Sequence, residues 1–262
     1  MNLDKRIRAF SGLGERIRNV SNEKAKHPLT KSEETLQQLI IESKNYNGWF
    51  VPAYVRFMLQ EIGASLNHDS LTKWMQPYYP QIDKHFPPKK VAVVMAGNIP
   101  AVGFNDFLSV LVSGNSILAK LSSDDNKIIP AIAELLIEIE PEFKQRIEFT
   151  ENQLKNFDAV IATGSNNSSR YFDYYFGKYP HVIRKNRNGI AVLDGSETRE
   201  ELEKLADDIF LYFGLGCRNV SKILVPRNYD FLKLLPVLEA RKEIIENNKY
   251  FNNYEYNKAI YL

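Results

Sequence analysis

The sequence predicts an α/β protein: a doubly wound parallel sheet, preceded by helices and followed by the opening of a further α/β domain. Three observations lead there. Val91-Ala92-Val93-Val94-Met95 is an unbroken apolar run, the pattern of a strand buried on both faces of a parallel sheet. Two more short runs, Ser116-Ile117-Leu118-Ala119 and Ala159-Val160-Ile161-Ala162, each end in a polar turn that leads into a stretch of helical periodicity. Successive strand–turn–helix units of this kind assemble with right-handed crossovers into one parallel sheet.

Residues 1–88 read as a helical region. Leu36, Leu39, Ile40 and Ser43 form an i, i+3, i+4 stripe, and Val55, Met58, Leu59 and Ile62 form another. Ser32 ahead of Glu33 and Glu34 reads as a helix start, because carboxylates favour the positive end of the helix dipole. Trp49, Phe50, Trp74, Tyr78 and Tyr79 are expected to pack these helices onto a larger body rather than to line a substrate site. His27, His68 and His85 lack metal-ligand spacing and are assigned no function, and no metal site is expected.

Pro87-Pro88-Lys89-Lys90 opens a cofactor-binding domain over residues 89–208. Its strands lie at 91–95, 116–119 and 159–162, with helices up to Val112, over 127–139 and over 167–176. A fourth apolar run, Ile190-Ala191-Val192-Leu193, is expected to extend the same sheet. Residues 209–262 read as the beginning of a catalytic domain: a strand over Lys222–Val225, a helix over 229–246, and the start of a strand at Ala259-Ile260-Tyr261-Leu262.

Bulk properties exclude several classes. Hydrophobic residues make up 44% and charged residues 25%, ordinary values for a globular protein. A net charge of +2 offers no electrostatic basis for binding nucleic acid. Arg184-Lys185-Asn186-Arg187 is too short for a nucleic-acid footprint and reads as a solvated loop between two strands. The first 20 residues lack the apolar segment of a secretory signal, and no stretch reaches the roughly 18 apolar residues of a membrane span. A lone cysteine rules out an internal disulfide and fits a reducing compartment. The expected location is the cytoplasm, and a homo-oligomer is compatible with the sequence.

In open parallel sheets ligands sit beyond the carboxyl ends of the strands. Three such ends carry polar residues: Asn98, Lys120, and the pair Gly164-Ser165. The pattern G-x-G-x-x-G is absent from all three. Gly164-Ser165 before a helix can present backbone N–H groups to a phosphate, although strand-Gly-Ser-helix turns are common. Lys120 is placed to reach a ribose hydroxyl or to remain solvated. The Asn98 amide can donate to a developing oxyanion or simply close an Asx turn. Cys217 follows Gly214 and Gly216, which permit close approach to the backbone, and Arg218 sets a positive charge beside the thiol. A lone cysteine is otherwise a small buried hydrophobe, so the residues alone leave nucleophile and packing both open.

The segments Val91–Pro100 (VAVVMAGNIP), Ile117–Ser123 (ILAKLSS), Ala162–Arg170 (ATGSNNSSR) and Tyr212–Val225 (YFGLGCRNVSKILV) follow one another in the order and spacing of the aldehyde dehydrogenase superfamily. With Trp49-Phe50-Val51-Pro52 upstream, the chain most resembles the LuxC-like acyl-CoA reductases, over essentially its whole length. The resemblance implies that Cys217 is the nucleophile and that Asn98 shares the oxyanion with the Cys217 N–H. It implies that Lys120 contacts the adenosine ribose and that Gly164 and Ser165 meet the cofactor pyrophosphate. Ser123 stands where NAD-preferring relatives carry a glutamate that grips both ribose hydroxyls, which implies NADPH, with NADH as the alternative.

The implied reaction is reduction of a fatty acyl-CoA, or another acyl thioester, to an aldehyde through an acyl-cysteine. Reduction of an acyl phosphate or oxidation of an aldehyde is the nearest alternative. A nucleotide-binding protein with an inert Cys217 is the alternative from another class. Two departures stand out. Where aldehyde-oxidising members carry a water-activating glutamate, the stretch from Val182 to Gly189 has no carboxylate. The part after Cys217 is shorter than the family's catalytic domain, so residues 209–262 are expected to be an incomplete one, in a C-terminally truncated chain.

Overall fold

The computed structural model describes residues 1–22, 27–82, 87–241 and 247–261. Its contacts divide the chain into two compact units, Met1–Lys185 and Asn186–Leu262.

The first unit begins with helices α1 (Leu3–Ser21), α2 (Lys31–Ile41), α3 (Ser43–Tyr46), α4 (Pro52–Ser65), α5 (His68–Met75) and α6 (Tyr79–Ile82). In α1, Ile7, Phe10, Leu13, Ile17 and Val20 recur at helical spacing and are buried. The start of α2 lies at Thr30 rather than at Ser32. The Thr30 hydroxyl accepts the Glu33 N–H while the Glu33 carboxylate accepts the Thr30 N–H, a reciprocal cap that Ser32, already inside the helix, does not make. The two expected stripes are turned inward: Leu36, Ile40, Val55, Leu59 and Ile62 are buried. Phe50 is buried and Trp49 packs against the same core, whereas Trp74, Tyr78 and Tyr79 remain exposed. His85 lies outside the described residues.

The sheet follows: β1 (Lys90–Val94), α7 (Phe104–Val112), β2 (Ser116–Lys120), α8 (Ile128–Ile139), β3 (Ile147–Thr150), β4 (Ala159–Thr163), α9 (Asn166–Phe176) and β5 (His181–Arg184). Strand order is β3-β2-β1-β4-β5 and every pairing is parallel. Successive residues of the central strands serve opposite faces. Val91, Val93, Ile117 and Ala119 join the core that includes α1, α7 and α8. Ala92, Leu118, Val160 and Ala162 form a second cluster, against Phe172 and Phe176 of α9.

β3 and β5 were not expected, and both are edge strands of four residues without a continuous apolar run. Arg184 is therefore not part of a solvated loop. It is the last residue of β5, and its guanidinium is bound to Asp106 of α7.

The second unit contains β6 (Gly189–Val192), α10 (Arg199–Phe210), β7 (Val220–Leu224), α11 (Phe231–Glu239) and α12 (Asn248–Tyr261). The apolar run that begins at Ile190 does not extend the five-stranded sheet; β6 pairs in parallel with β7 in a sheet of two strands. Its burial shows why: Ile190 and Val192 are exposed while Ala191 and Leu193 pack with α10 and α11 residues, so the strand is covered on one face only. The expected boundaries lie at residues 88 and 208; the contacts divide the chain once, at 185/186. Helices α1–α5 share a core with the sheet, and residues from β6 and α10 share one with β7 and α11. The stretch Ala259–Tyr261 is helical rather than extended, in a helix whose first turn is capped by the Asn247 side chain accepting the Lys249 and Tyr250 N–H groups. Leu262 lies outside the described residues. Among the described residues, no helix is long and apolar enough to cross a membrane.

Candidate active site

In the first unit, β1 leads to β2 on one side, and the chain then returns to place β4 on the other. This reversal of strand order opens a crevice beyond the carboxyl ends of β1 and β4, the place where doubly wound sheets bind ligands. Val94 of β1 pairs with both Lys120 of β2 and Ala162 of β4, so the three strand ends are level. Asn98 lies in the turn after β1, Lys120 ends β2, Ser123 lies in the turn beyond it, and Gly164-Ser165 joins β4 to α9. Five of the six residues singled out from the sequence are thus brought to one edge of one sheet.

The turn carrying Asn98 is held close to its neighbour. A Cβ on Gly97 would sit 2.5 Å from Ser122 Oγ and 2.7 Å from Ser122 Cβ, so only glycine fits there without displacing the 122–125 turn. Three residues after Asn98, Ala101 has a φ of 51°, left-handed backbone that a residue with a Cβ adopts only under constraint. Its N–H donates to Asp125 Oδ2 at 2.7 Å. Asn98 and Ser123 are both exposed.

At the other strand end, Ser165 caps α9 by accepting the Ser168 N–H at 3.1 Å. The first turn of α9 contains no acidic residue, which leaves the positive end of the helix dipole available to an anion. Gly164 is fixed by its N–H, which donates to the Arg184 carbonyl at 3.2 Å. A Cβ there would lie 2.8 Å from the Phe172 ring and 2.9 Å from Ser168 Cβ.

Cys217 belongs to the second unit, in the loop between α10 and β7, and is exposed. Sequence reading left open whether it is a packed hydrophobe; it is not packed. Tyr212 (φ 53°, ψ 30°), Phe213 (φ 57°, ψ 29°) and Gly214 (φ 73°) form a left-handed run just before it. Two non-glycine residues in that region store on the order of 1–3 kcal/mol each, strain that recurs at functional sites. The aromatic side chains compensate by burial, and Phe213 lies 5.5 Å from the Tyr250 ring.

Asn219 braces the loop from the other side. Its Oδ1 accepts the Gly216 N–H at 2.7 Å, and its amide donates to the Asp208 and Leu211 carbonyls at 2.8 and 3.0 Å. Asn219 was given no role from the sequence, and Asp125 was read only as a negative charge beside Ser123. The signal for Asp125 was a carboxylate ahead of a helix, and for Asn219 a polar residue two positions after the cysteine.

The family model for acyl-CoA reductase (LuxC) matches residues 18–232. The chain belongs to this family. No curated protein sequence matches this LuxC chain. Among solved structures it is similar to a propionaldehyde dehydrogenase mutant from the fucose-utilisation microcompartment of Clostridium phytofermentans, with TM-score 0.62 and 10% identity, over 92% of this chain and 56% of that one. A glyceraldehyde-3-phosphate dehydrogenase of Methanocaldococcus jannaschii complexed with NADP aligns with TM-score 0.64 and 14% identity, over 93% and 55%. An indole-3-acetaldehyde dehydrogenase complexed with NAD+ aligns with TM-score 0.60 and 15% identity, over 93% and 51%. The LuxC chain thus has the aldehyde dehydrogenase fold and spans about half the length of these relatives.

Proposed function

We propose that this LuxC-family chain carries the cofactor-binding domain and the nucleophile of a reductase that converts an acyl thioester, such as a fatty acyl-CoA, to an aldehyde. The observation that carries this reading is the exposed thiol of Cys217, presented on a loop that is strained on one side and braced by Asn219 on the other. A cysteine serving only to fill space needs neither exposure nor a strained approach.

In the proposed reaction the Cys217 thiolate attacks the thioester carbonyl. The carbonyl π pair moves onto oxygen, and the Cys217 N–H stabilises that oxyanion. Collapse expels the CoA thiolate, which takes up a proton, and leaves an acyl-cysteine.

Residues at the strand ends fit a nicotinamide dinucleotide. The glycine turn at Gly164 and the acid-free first turn of α9 suit a pyrophosphate, and Lys120 and Ser123 suit the adenosine ribose. Bound there in reduced form, the cofactor supplies the hydride that turns the acyl group into an aldehyde. The exposed Ser123 leaves room for a 2′-phosphate, which favours NADPH, with NADH as the alternative.

The test is intact mass after mixing with acyl-CoA thioesters of graded chain length. One acyl adduct is expected, lost in Cys217→Ser and discharged by NADPH. Thioester-dependent aldehyde formation that survives Cys217→Ala would overturn the reading.

A further inference from the structure

We propose that Asn47, in the loop between α3 and α4, is a positioning residue for the adenosine-ribose end of the cofactor site: its side-chain amide ties the turn bearing Ser123 to the N-terminal helices. The inference rests on the role given to Ser123 above, and every residue in it belongs to the first unit.

Residues 121–127 carry the chain from β2 to α8. Ser123 and Asp124 are the exposed tip of a tight turn. The Asp125 N–H closes it by donating to the Ser122 carbonyl at 3.2 Å, and the Asp124 N–H donates to Ser122 Oγ at 3.2 Å. These bonds fix the shape of the turn; its placement at the crevice depends on what it is tied to. One tie is to the turn after β1, where the buried Asp125 carboxylate accepts the Ala101 N–H at 2.7 Å. The other is to Asn47, whose amide donates to the Asp124 carbonyl at 3.0 Å.

Asn47 is itself held. Its Oδ1 accepts the Trp49 N–H at 2.9 Å, an Asx turn that sets the side chain with its nitrogen towards Asp124. Its backbone N–H donates to the Ser43 carbonyl at 3.1 Å, and its carbonyl accepts the Phe50 N–H at 2.8 Å. Phe50 is fully buried, so the loop is rooted in the core. Beside it, the Lys127 ammonium lies over the Tyr46 ring at 4.9 Å. The helices thus meet the turn at Asp124 and again at Lys127, on either side of Asp125. A 2′-hydroxyl and a 2′-phosphate differ by one group, and discriminating them needs a side chain held to within about 0.5 Å. Asn47 supplies that restraint through the Asp124 backbone rather than by touching the cofactor.

A purely local role for Asn47, closing the loop before α4, needs its acceptor but not its donor. The measurement is the ratio of NADPH to NADH dissociation constants, from nicotinamide fluorescence on the full chain, in cycles that combine Ser123→Glu with Asn47→Asp or Asn47→Ser. Aspartate and serine both keep an acceptor for the Trp49 N–H, one charged and one neutral. Neither replaces the donor: aspartate has no N–H, and the serine hydroxyl lacks the reach. In the wild-type background Ser123→Glu is expected to move the ratio by at least about tenfold. Either Asn47 variant is expected to shrink that shift by about threefold or more, the scale at which residues in one hydrogen-bonded network couple. A loss of stability alone leaves the shift unchanged, because only folded protein binds cofactor.

A shift of the same size in both Asn47 variants would overturn the role of Asn47 while leaving the cofactor reading standing. Coupling with aspartate alone would assign the effect to the added charge and overturn it as well. No shift on Ser123→Glu in the wild type would mean that Ser123 does not meet the ribose, and the role of Asn47 would fall with that reading.

Discussion

A single Nη of Arg184, at the carboxyl end of β5, donates to both carboxylate oxygens of Asp106 in the first turn of α7, at 2.8 and 2.7 Å. Asp106 is 8% exposed, so this pair ties the edge strand to a helix rooted beside the sheet's central strand. The backbone of the same arginine accepts the Gly164 N–H, which sets the turn that precedes α9. Arg184 is thereby a structural element of the crevice.

Removing the guanidinium strands a buried carboxylate. Arg184→Ala is expected to lower stability by about 1–3 kcal/mol, short of the loss at a fully buried pair because the arginine retains contact with solvent. The urea midpoint at constant m-value reads this directly. An unchanged midpoint would mean that the pair contributes nothing and that β5 is held by its backbone alone.

Gly97 gives a second test, aimed at geometry. Alanine there would put its Cβ within 2.7 Å of two Ser122 atoms, and one of the two turns has to shift. The expected result for Gly97→Ala is a loss of about 1–3 kcal/mol of stability, the usual cost of overpacking, read from the urea midpoint at constant m-value. An unchanged midpoint would mean that the two turns separate freely.

The central strands were legible because burial on both faces writes an unbroken apolar run, and β1, β2 and β4 each carry one. β3 and β5 were not, since an edge strand of four residues has only part of its surface to bury. β6 misled for a related reason. Its run is as apolar as that of β1, and only the partner strand, thirty residues on, decides which sheet it joins. Residues at strand ends became candidates as soon as the strands were found. The burial of Asp125 escaped because a carboxylate between Asp124 and Asn126 reads as solvated, and the Ala101 N–H that it accepts comes from another turn, distant in sequence. Asn219 escaped likewise, because its partners Asp208 and Leu211 lie on the preceding helix and its end.

In the proposed reading, cofactor preference turns on Ser123. A glutamate there would set a negative charge where a 2′-phosphate would lie, next to the existing Asp124, and would offer a bidentate acceptor to free ribose hydroxyls. Ser123→Glu is expected to weaken NADPH relative to NADH by at least about tenfold, the equivalent of roughly 1.4 kcal/mol. Dissociation constants for both cofactors from nicotinamide fluorescence provide the comparison. If the wild type already prefers NADH and the substitution leaves the ratio unchanged, Ser123 does not face the ribose.

The acyl-cysteine is expected to resist water. Its hydrolysis needs a water held in line and a base to take the proton, a contribution of about 10²–10⁴ in rate. The stretch from Val182 to Gly189 supplies no carboxylate: Arg184 is committed to Asp106, Lys185 lies 3.7 Å from Asp173, and Arg187 stays charged. None of these can accept a proton while charged. With acyl-CoA and no cofactor, a stoichiometric burst of free CoA is expected, followed by little fatty acid. Addition of NADPH should then release aldehyde from the stored acyl-enzyme in a single turnover. Fatty acid appearing steadily, at a rate near that of the NADPH-dependent reaction, would show that another group activates water. It would also remove the chemical reason for reading the missing glutamate as the mark of a reductase.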